Sequence, residues 1–118
     1  MVITSILTSI KKLLGIDESY THFDSDIIMY INSALMTLNQ LGVGPLIGFV
    51  IEDNTATWSD FIGNRKNLEV VKSFVYLKTR LIFDPPQMGY LVDAINNQIK
   101  ELEFRLLVQV EGEDQNGW

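Results

Sequence analysis

The strongest constraint on this chain is the Asp84-Pro85-Pro86 stop between two apolar repeats. Proline lacks an amide hydrogen, its ring clashes with the preceding helical turn, and it drives the residue before it away from the α region. Upstream, Leu68, Val71, Phe74, Val75 and Leu81 recur at helical spacing; downstream, Leu91, Ala94, Ile95, Ile99, Leu102 and Leu106 do the same. The prolines end the first helix, and Gly89 gives the chain room before the second. So short a connection makes the two helices neighbours, most simply an antiparallel hairpin. The segments before it are expected to cover that hairpin.

Ile3, Ile6, Leu7, Ile10, Leu13 and Leu14 lie on one face of a short helix that Gly15 is placed to end. Lys11 and Lys12 fall in its last turn, where positive charge suits the helix dipole. A helix this short is marginal in water, so it must dock on its own subunit or on a neighbour. Asp17 to Phe23 reads as a connector. Asp24 fits an N-cap, with Asp26 in the first turn. The helix that follows carries Ile27, Tyr30, Ile31, Ala34, Leu35, Leu38 and Leu41, the cleanest amphipathic stripe in the chain, and Gly42 ends it.

From Gly42 to Thr57 regularity fails. Gly42-Val-Gly-Pro45 is expected to turn, Phe49, Val50 and Ile51 are β-formers, and Thr55 to Thr57 is a candidate return strand. A small β-hairpin and an extended loop both fit. Such a hairpin is barely stable alone, so it would lean on the helices or pair with a neighbouring subunit. Thr57 with Asp60 resembles a cap for one helical turn holding Trp58, Phe61 and Ile62, closed by Gly63. Asn64 is the expected cap of the long helix. The reading is an all-α bundle of about four helices, with the loop or hairpin between the second and the long third. Residues 1–107 form the single domain. After Leu107 the pattern gives way to acids and glycines, the composition of a flexible tail over 108–118.

Composition narrows the function more by exclusion. A chain of 118 residues holds one modest core, and with no cysteine it has neither disulfides nor a thiolate metal site. The formal charge of −6 argues against a reader of nucleic acid that works by neutralising phosphates. The apolar share of 47% suggests that some apolar surface is buried against other subunits. The longest nearly uncharged stretch, Leu41 to Ile51, is about half a membrane span and is broken by glycines and Pro45. The N-terminus lacks the charge order and cleavage site of a signal peptide, so a soluble intracellular chain is expected.

His22, the single histidine, has only Asp24 as a local partner and reads as a loop residue. The acids at Asp24 and Asp26, at Glu101 and Glu103, and in the tail lack the spacing of a calcium loop. No phosphate loop, nucleophile elbow or zinc signature is present. Neither enzyme nor cofactor is expected. Arg65, Lys66, Lys72, Lys78, Arg80, Lys100 and Arg105 read as a solvated face with intrahelical partners such as Glu69 and Glu101, against a role in binding acidic subunits or passing DNA. Trp58 and Phe61 fit core packing and interface anchoring equally well.

The order of these segments resembles the head–tail connector (adaptor) proteins of tailed double-stranded-DNA phages. The resemblance runs from about Ile3 to Leu106. It is carried by Leu13-Leu-Gly-Ile16, Phe23-Asp-Ser-Asp-Ile-Ile28, Ile31-Asn-Ser-Ala-Leu35, Leu41-Gly-Val-Gly-Pro45 and Thr57-Trp-Ser-Asp-Phe-Ile62. Val71-Lys72, Tyr76-Leu-Lys78, Leu81-Ile-Phe-Asp-Pro-Pro86 and Gln98-Ile-Lys-Glu-Leu-Glu103 continue it. The resemblance implies a structural virion protein, assembled in the host cytoplasm, that forms a dodecameric ring beneath the portal. Such a ring extends the DNA channel and offers a docking surface for stopper or tail proteins. It implies contact between the C-terminal segment and the portal, which singles out Glu111, Glu113, Asp114 and Trp118. Ile6, Ile10, Phe49, Ile51, Trp58 and Phe61 are the expected subunit interface, and the loop from Gly48 to Thr57 is expected to project toward the channel or a neighbouring ring. The rival is a small helical regulator that binds a protein partner through an apolar groove, working as a monomer or dimer.

Overall fold

The computed structural model describes residues 4–63 and 68–115. Five helices follow in order: α1 (Ile6–Leu13), α2 (Asp24–Gln40), α3 (Trp58–Ile62), α4 (Leu68–Phe83) and α5 (Gly89–Gln115). The expected all-α class holds, and the described residues contain no strand. Asn64, expected to cap α4, lies outside the described residues.

Helix α2 packs along α4, α4 pairs with α5 across the Pro85-Pro86 corner, and α1 lies against α4 and α2. Their stripes meet in one core. Ile27, Ile31, Ala34, Leu35 and Leu38 of α2 face Val71, Phe74 and Val75 of α4, with Ile95, Ile99, Leu102 and Leu106 supplied by α5. Leu91 and Ala94, expected on the core face of α5, are exposed near its start. The side chains that face inward are the later ones, where α5 runs beside the body of α4.

The helix ends follow local chemistry. Ser5 caps α1 by accepting from the Thr8 amide at 3.2 Å. At the C-termini of α1 and α2 the chain closes with paired bonds that satisfy the terminal carbonyls. Ile16 N–H donates to Lys11 O and Gly15 N–H to Lys12 O; Val43 N–H donates to Leu38 O and Gly42 N–H to Asn39 O. Both motifs need a left-handed residue, supplied by Gly15 at φ 81° and Gly42 at φ 95°. Thr57 and Asp60 form a reciprocal capping box on α3.

Three features extend or depart from the sequence reading. First, of the two alternatives for the segment after Gly42 the loop is the one observed, and no hairpin forms among the described residues. Asn32, on α2, takes the backbone of Ile51 instead, its Oδ1 accepting from Ile51 N–H at 2.7 Å and its Nδ2 donating to Ile51 O at 3.0 Å. The expected return strand pairs with the N-terminus, through one antiparallel bridge between Ser5 and Thr57. Ile6 N–H donates to Ala56 O at 3.0 Å and Trp58 N–H to Thr4 O at 3.1 Å. Second, α5 continues past Leu107 to Gln115, so the backbone of 108–115 is helical where composition pointed to a tail. The apolar spacing persists through Leu106 and Val110, and Val110 packs at the α2 corner, next to Gly42.

Third, Lys11 sits in the last turn of α1 as expected but is also buried. It is 2% exposed. Its ammonium donates to Glu18 O at 3.0 Å and Tyr20 O at 2.8 Å, and lies 2.8 Å from Asp24 Oδ1. The third contact lacks hydrogen-bond alignment and is an ion pair. Two carbonyls and one carboxylate offset the desolvation that a buried ammonium incurs. The connector between α1 and α2 is thereby wrapped around the side chain of α1.

Two substitutions test this core. Lys11→Met keeps the stem but strands the two carbonyls and Asp24; because Asp24 keeps partial access to water, the cost should be about 2–4 kcal/mol in urea unfolding. Thr79 is fully buried and its Oγ1 has no hydrogen-bond partner. Thr79→Val removes that group at nearly constant shape, and the expected outcome is a gain of about 0.5–2 kcal/mol with a raised Tm. A loss of stability would mean that the hydroxyl is satisfied after all.

Candidate assembly surface

The most exposed large apolar side chains stand on one turn. Pro45 to Gly48 closes with Gly48 N–H donating to Pro45 O at 3.0 Å, and the two corner residues are Leu46 and Ile47. They are 101% and 98% exposed, and Val50 and Met36 beside them are also exposed. Turn corners ordinarily carry Gly, Pro, Asn, Asp or Ser. Two adjacent aliphatics with no contact to their own fold are costly in water unless another surface covers them.

The turn is anchored on both sides. Val43 before it and Ile51 after it are buried, Asn39 Nδ2 donates to Pro45 O, and Asn32 holds Ile51. Gly44, at φ 89°, lies so close to Phe61 that a Cβ there would collide with the ring. Phe49 rests on Phe61 from the other side, their centroids 5.3 Å apart. An open hollow of about 270 Å³ lies beside the turn, lined by Met36, Asn39, Ile47, Gly48, Phe49 and Val50.

A second apolar surface lies on α5. Leu102, Leu106 and Val110 face the core, yet Phe104, Leu107 and Val108 on the outer side are exposed. These last three stand among exposed charges such as Lys100, Glu101 and Arg105, so the outer side is a mixed surface with an apolar stripe. A third patch, Ile82, Met88 and Tyr90, sits at the Pro85-Pro86 corner.

The residues singled out as a subunit interface lie elsewhere. Ile6, Ile10, Ile51, Trp58 and Phe61 are buried in the core of their own protomer, and Phe49 is half-buried against it. Trp58 donates its indole N–H to Ser9 Oγ at 3.2 Å, inside the protein. Within the protomer their apolar surface is used by the core. Leu46, Ile47 and the outer residues of α5 were not singled out from the sequence, because an apolar residue in a sequence does not say which side covers it. The available signal was Leu-Ile following Gly-Pro in a turn. Of the acidic set, Glu111 is exposed near the end of α5; Glu113 and Asp114 are on the same helix, and Trp118 lies outside the described residues.

The polar candidates keep modest roles. His22 is exposed, edge-on to Phe23 with centroids 4.7 Å apart. Arg105 pairs with Glu101 at 2.7 Å across one turn, as expected of a solvated face. Lys78 sits 5.9 Å from the centre of the Phe74 ring. Arg65 and Lys66 are outside the described residues. No group of three or more His, Cys, Asp or Glu capable of holding a metal occurs among the described residues, and no described helix is long and apolar enough to cross a membrane.

This architecture is that of a small all-α protein with an anchored apolar projection and an apolar stripe on the outer side of α5. The chain belongs to the phage connector protein family, whose model matches residues 6–113. Comparisons with curated proteins and with solved structures give no match. The family is a structural one.

Two loop carboxylates make a pH test. Asp53 accepts from the Thr55 hydroxyl at 2.6 Å and its amide at 2.9 Å, and Asp17 does the same with Ser19 at 2.6 and 2.8 Å. Hydroxyl and amide donors favour the ionised form, so both carboxyls are held below the ordinary aspartate value. A depressed folded pKa means that the turns gain full stabilisation above the ordinary value and lose it as pH falls through the depressed one. NMR titration should give midpoints for Asp17 and Asp53 below the ordinary aspartate value, and Thr55→Ala should return Asp53 toward it.

Proposed function

We propose that the protein is a head–tail connector that forms a ring beneath the portal of a tailed phage, extends the DNA channel and presents a docking surface for stopper or tail proteins. Family membership carries this reading. The exposed Leu46-Ile47 turn supports it, since a protein working as a lone monomer has no use for two uncovered aliphatics on a braced support. A ring multiplies the charge of −6 per subunit, and an acidic channel lets DNA slide without counterion-releasing contacts. DNA is then a passing occupant with no sequence-specific binding. The ring is dodecameric in this reading, and the protein works at the head–tail interface of the virion after assembly in the host cytoplasm. The end of α5, with Glu111, Glu113 and Asp114, and the residues on to Trp118 form the portal contact.

Light scattering of the purified chain, alone and with its portal, tests the reading. The expected result is a ring-sized species, or co-migration with the portal, that grows with concentration. A chain that stays monomeric and ignores the portal would overturn it. Leu46→Ser with Ile47→Ser should leave the unfolding free energy within about 0.5 kcal/mol, because neither side chain touches the fold. The same pair should abolish the large species.

A further inference from the structure

Two of the uncovered apolar features are unlike each other. One is the projecting turn with Leu46 and Ile47; the other is the outer face of α5, where Phe104, Leu107 and Val108 follow one another at helical spacing. Both are exposed in the same protomer, so neither covers the other. We propose that they are the two halves of one contact, in which Leu46 and Ile47 of one copy pack on Phe104, Leu107 and Val108 of the next. This rests on the ring reading and specifies its interface.

Three observations select a second copy as the occupant. The first is charge. Glu52 is exposed just after the projecting turn, whereas Lys100 is exposed one helical turn before Phe104, on the α5 face of the stripe. Among the described residues neither has an ion-pair partner, and they have opposite signs. Across the proposed contact each would meet the other.

The second is area. Leu46, Ile47, Val50 and Met36 together offer on the order of a few hundred Å², against roughly 800 Å² per partner in a stable pair. A protomer that uses the turn on one side and the stripe on the other brings both surfaces into play. A contact between unlike surfaces is head-to-tail, and it closes into a ring when its rotation divides a full turn. Each junction is weak alone and becomes firm on closure, when every subunit is held twice.

The third is preorganisation. The turn is held by Asn39, Asn32, buried Val43 and buried Ile51, and the stripe lies on a helix whose opposite face is in the core. Little order is lost when they meet, the condition under which a small apolar contact gives useful affinity. The stripe ends just before Glu111, which leaves the last residues of α5 free for a different partner.

Because the chain contains no cysteine, engineered thiols are unambiguous. Chains carrying Leu46→Cys are mixed with chains carrying Val108→Cys, under mild oxidation, at concentrations where the unaltered protein assembles, with and without its portal. The expected product is the mixed disulfide dimer, in large excess over either homotypic dimer. The double variant Leu46→Cys, Val108→Cys should give a ladder of covalent multimers. A ladder that stops at the dimer would make the contact two-fold and overturn the head-to-tail arrangement. Assembly by light scattering without the mixed disulfide would overturn the proposed contact and leave the ring reading standing; neither assembly nor disulfide would overturn both. Assembly that needs the portal, again without the disulfide, would assign the turn to the portal and overturn the proposal. The charges give a second readout. Glu52→Lys should weaken assembly and Glu52→Lys with Lys100→Glu should restore it, a rescue that a general loss of folding cannot produce.

Discussion

The fold depends on how its short first helix is tied down. Helix α1 has eight residues, too few to persist in water alone, and polar bonds hold it from both directions. Its Lys11 draws the connector to α2 inward, ending on Asp24 at the start of that helix. Its Ser9 receives the indole of Trp58, and the residues just before it bond to Ala56 and Trp58. One short helix thus fixes both the entry to α2 and the approach to α3. Ile6, Leu7 and Ile10 fill the space so defined. Burial supplies most of the stabilisation, and the directional bonds decide which arrangement is stabilised.

What could be read in the sequence was what local chemistry decides. The Pro85-Pro86 stop, the glycine ends of α1 and α2, the Thr57–Asp60 cap and the stripes of α2 and α4 each depend on residues a few positions apart. The rest depends on distant partners. Phe49, Val50 and Ile51 have β-forming side chains, but Asn32 offered the Ile51 backbone a better-placed pair of bonds than any returning strand. Lys11 looked like a dipole partner because its two carbonyl acceptors lie in a connector without pattern. Trp58 and Phe61 looked like anchors for the same reason that they are core: a large aromatic must be covered, and composition does not name the cover. The candidate surface was illegible on the same grounds, since Leu46 and Ile47 differ from core residues only in where the folded chain leaves them.

Rigidity decides whether an exposed apolar turn is a liability or a device. Leu46 and Ile47 on a loose loop would bend back onto the protein or associate with any apolar surface at hand. Here the turn is braced by two asparagines and by buried residues on either side, and Gly44 lets the chain pass over Phe61 without a Cβ. The side chains are exposed on a braced turn. A surface of that kind discriminates by shape, and that is what a component adding to one position in a layered assembly requires.

Net charge supplies the opposing force. Copies carrying −6 repel one another at low ionic strength, so a few exposed aliphatics do not drive indiscriminate aggregation. Repulsion between whole chains extends over a Debye length, about 8 Å at physiological salt, whereas apolar contact acts only on touching surfaces. Association is therefore disfavoured until a geometry brings complementary patches together, and it strengthens once several contacts form at the same time. Under the proposed ring reading, a protein balanced in this way would stay dispersed when dilute and commit at a template that concentrates it. That behaviour would follow from the positions of two aliphatics, three residues on an outer helix face and an excess of acids.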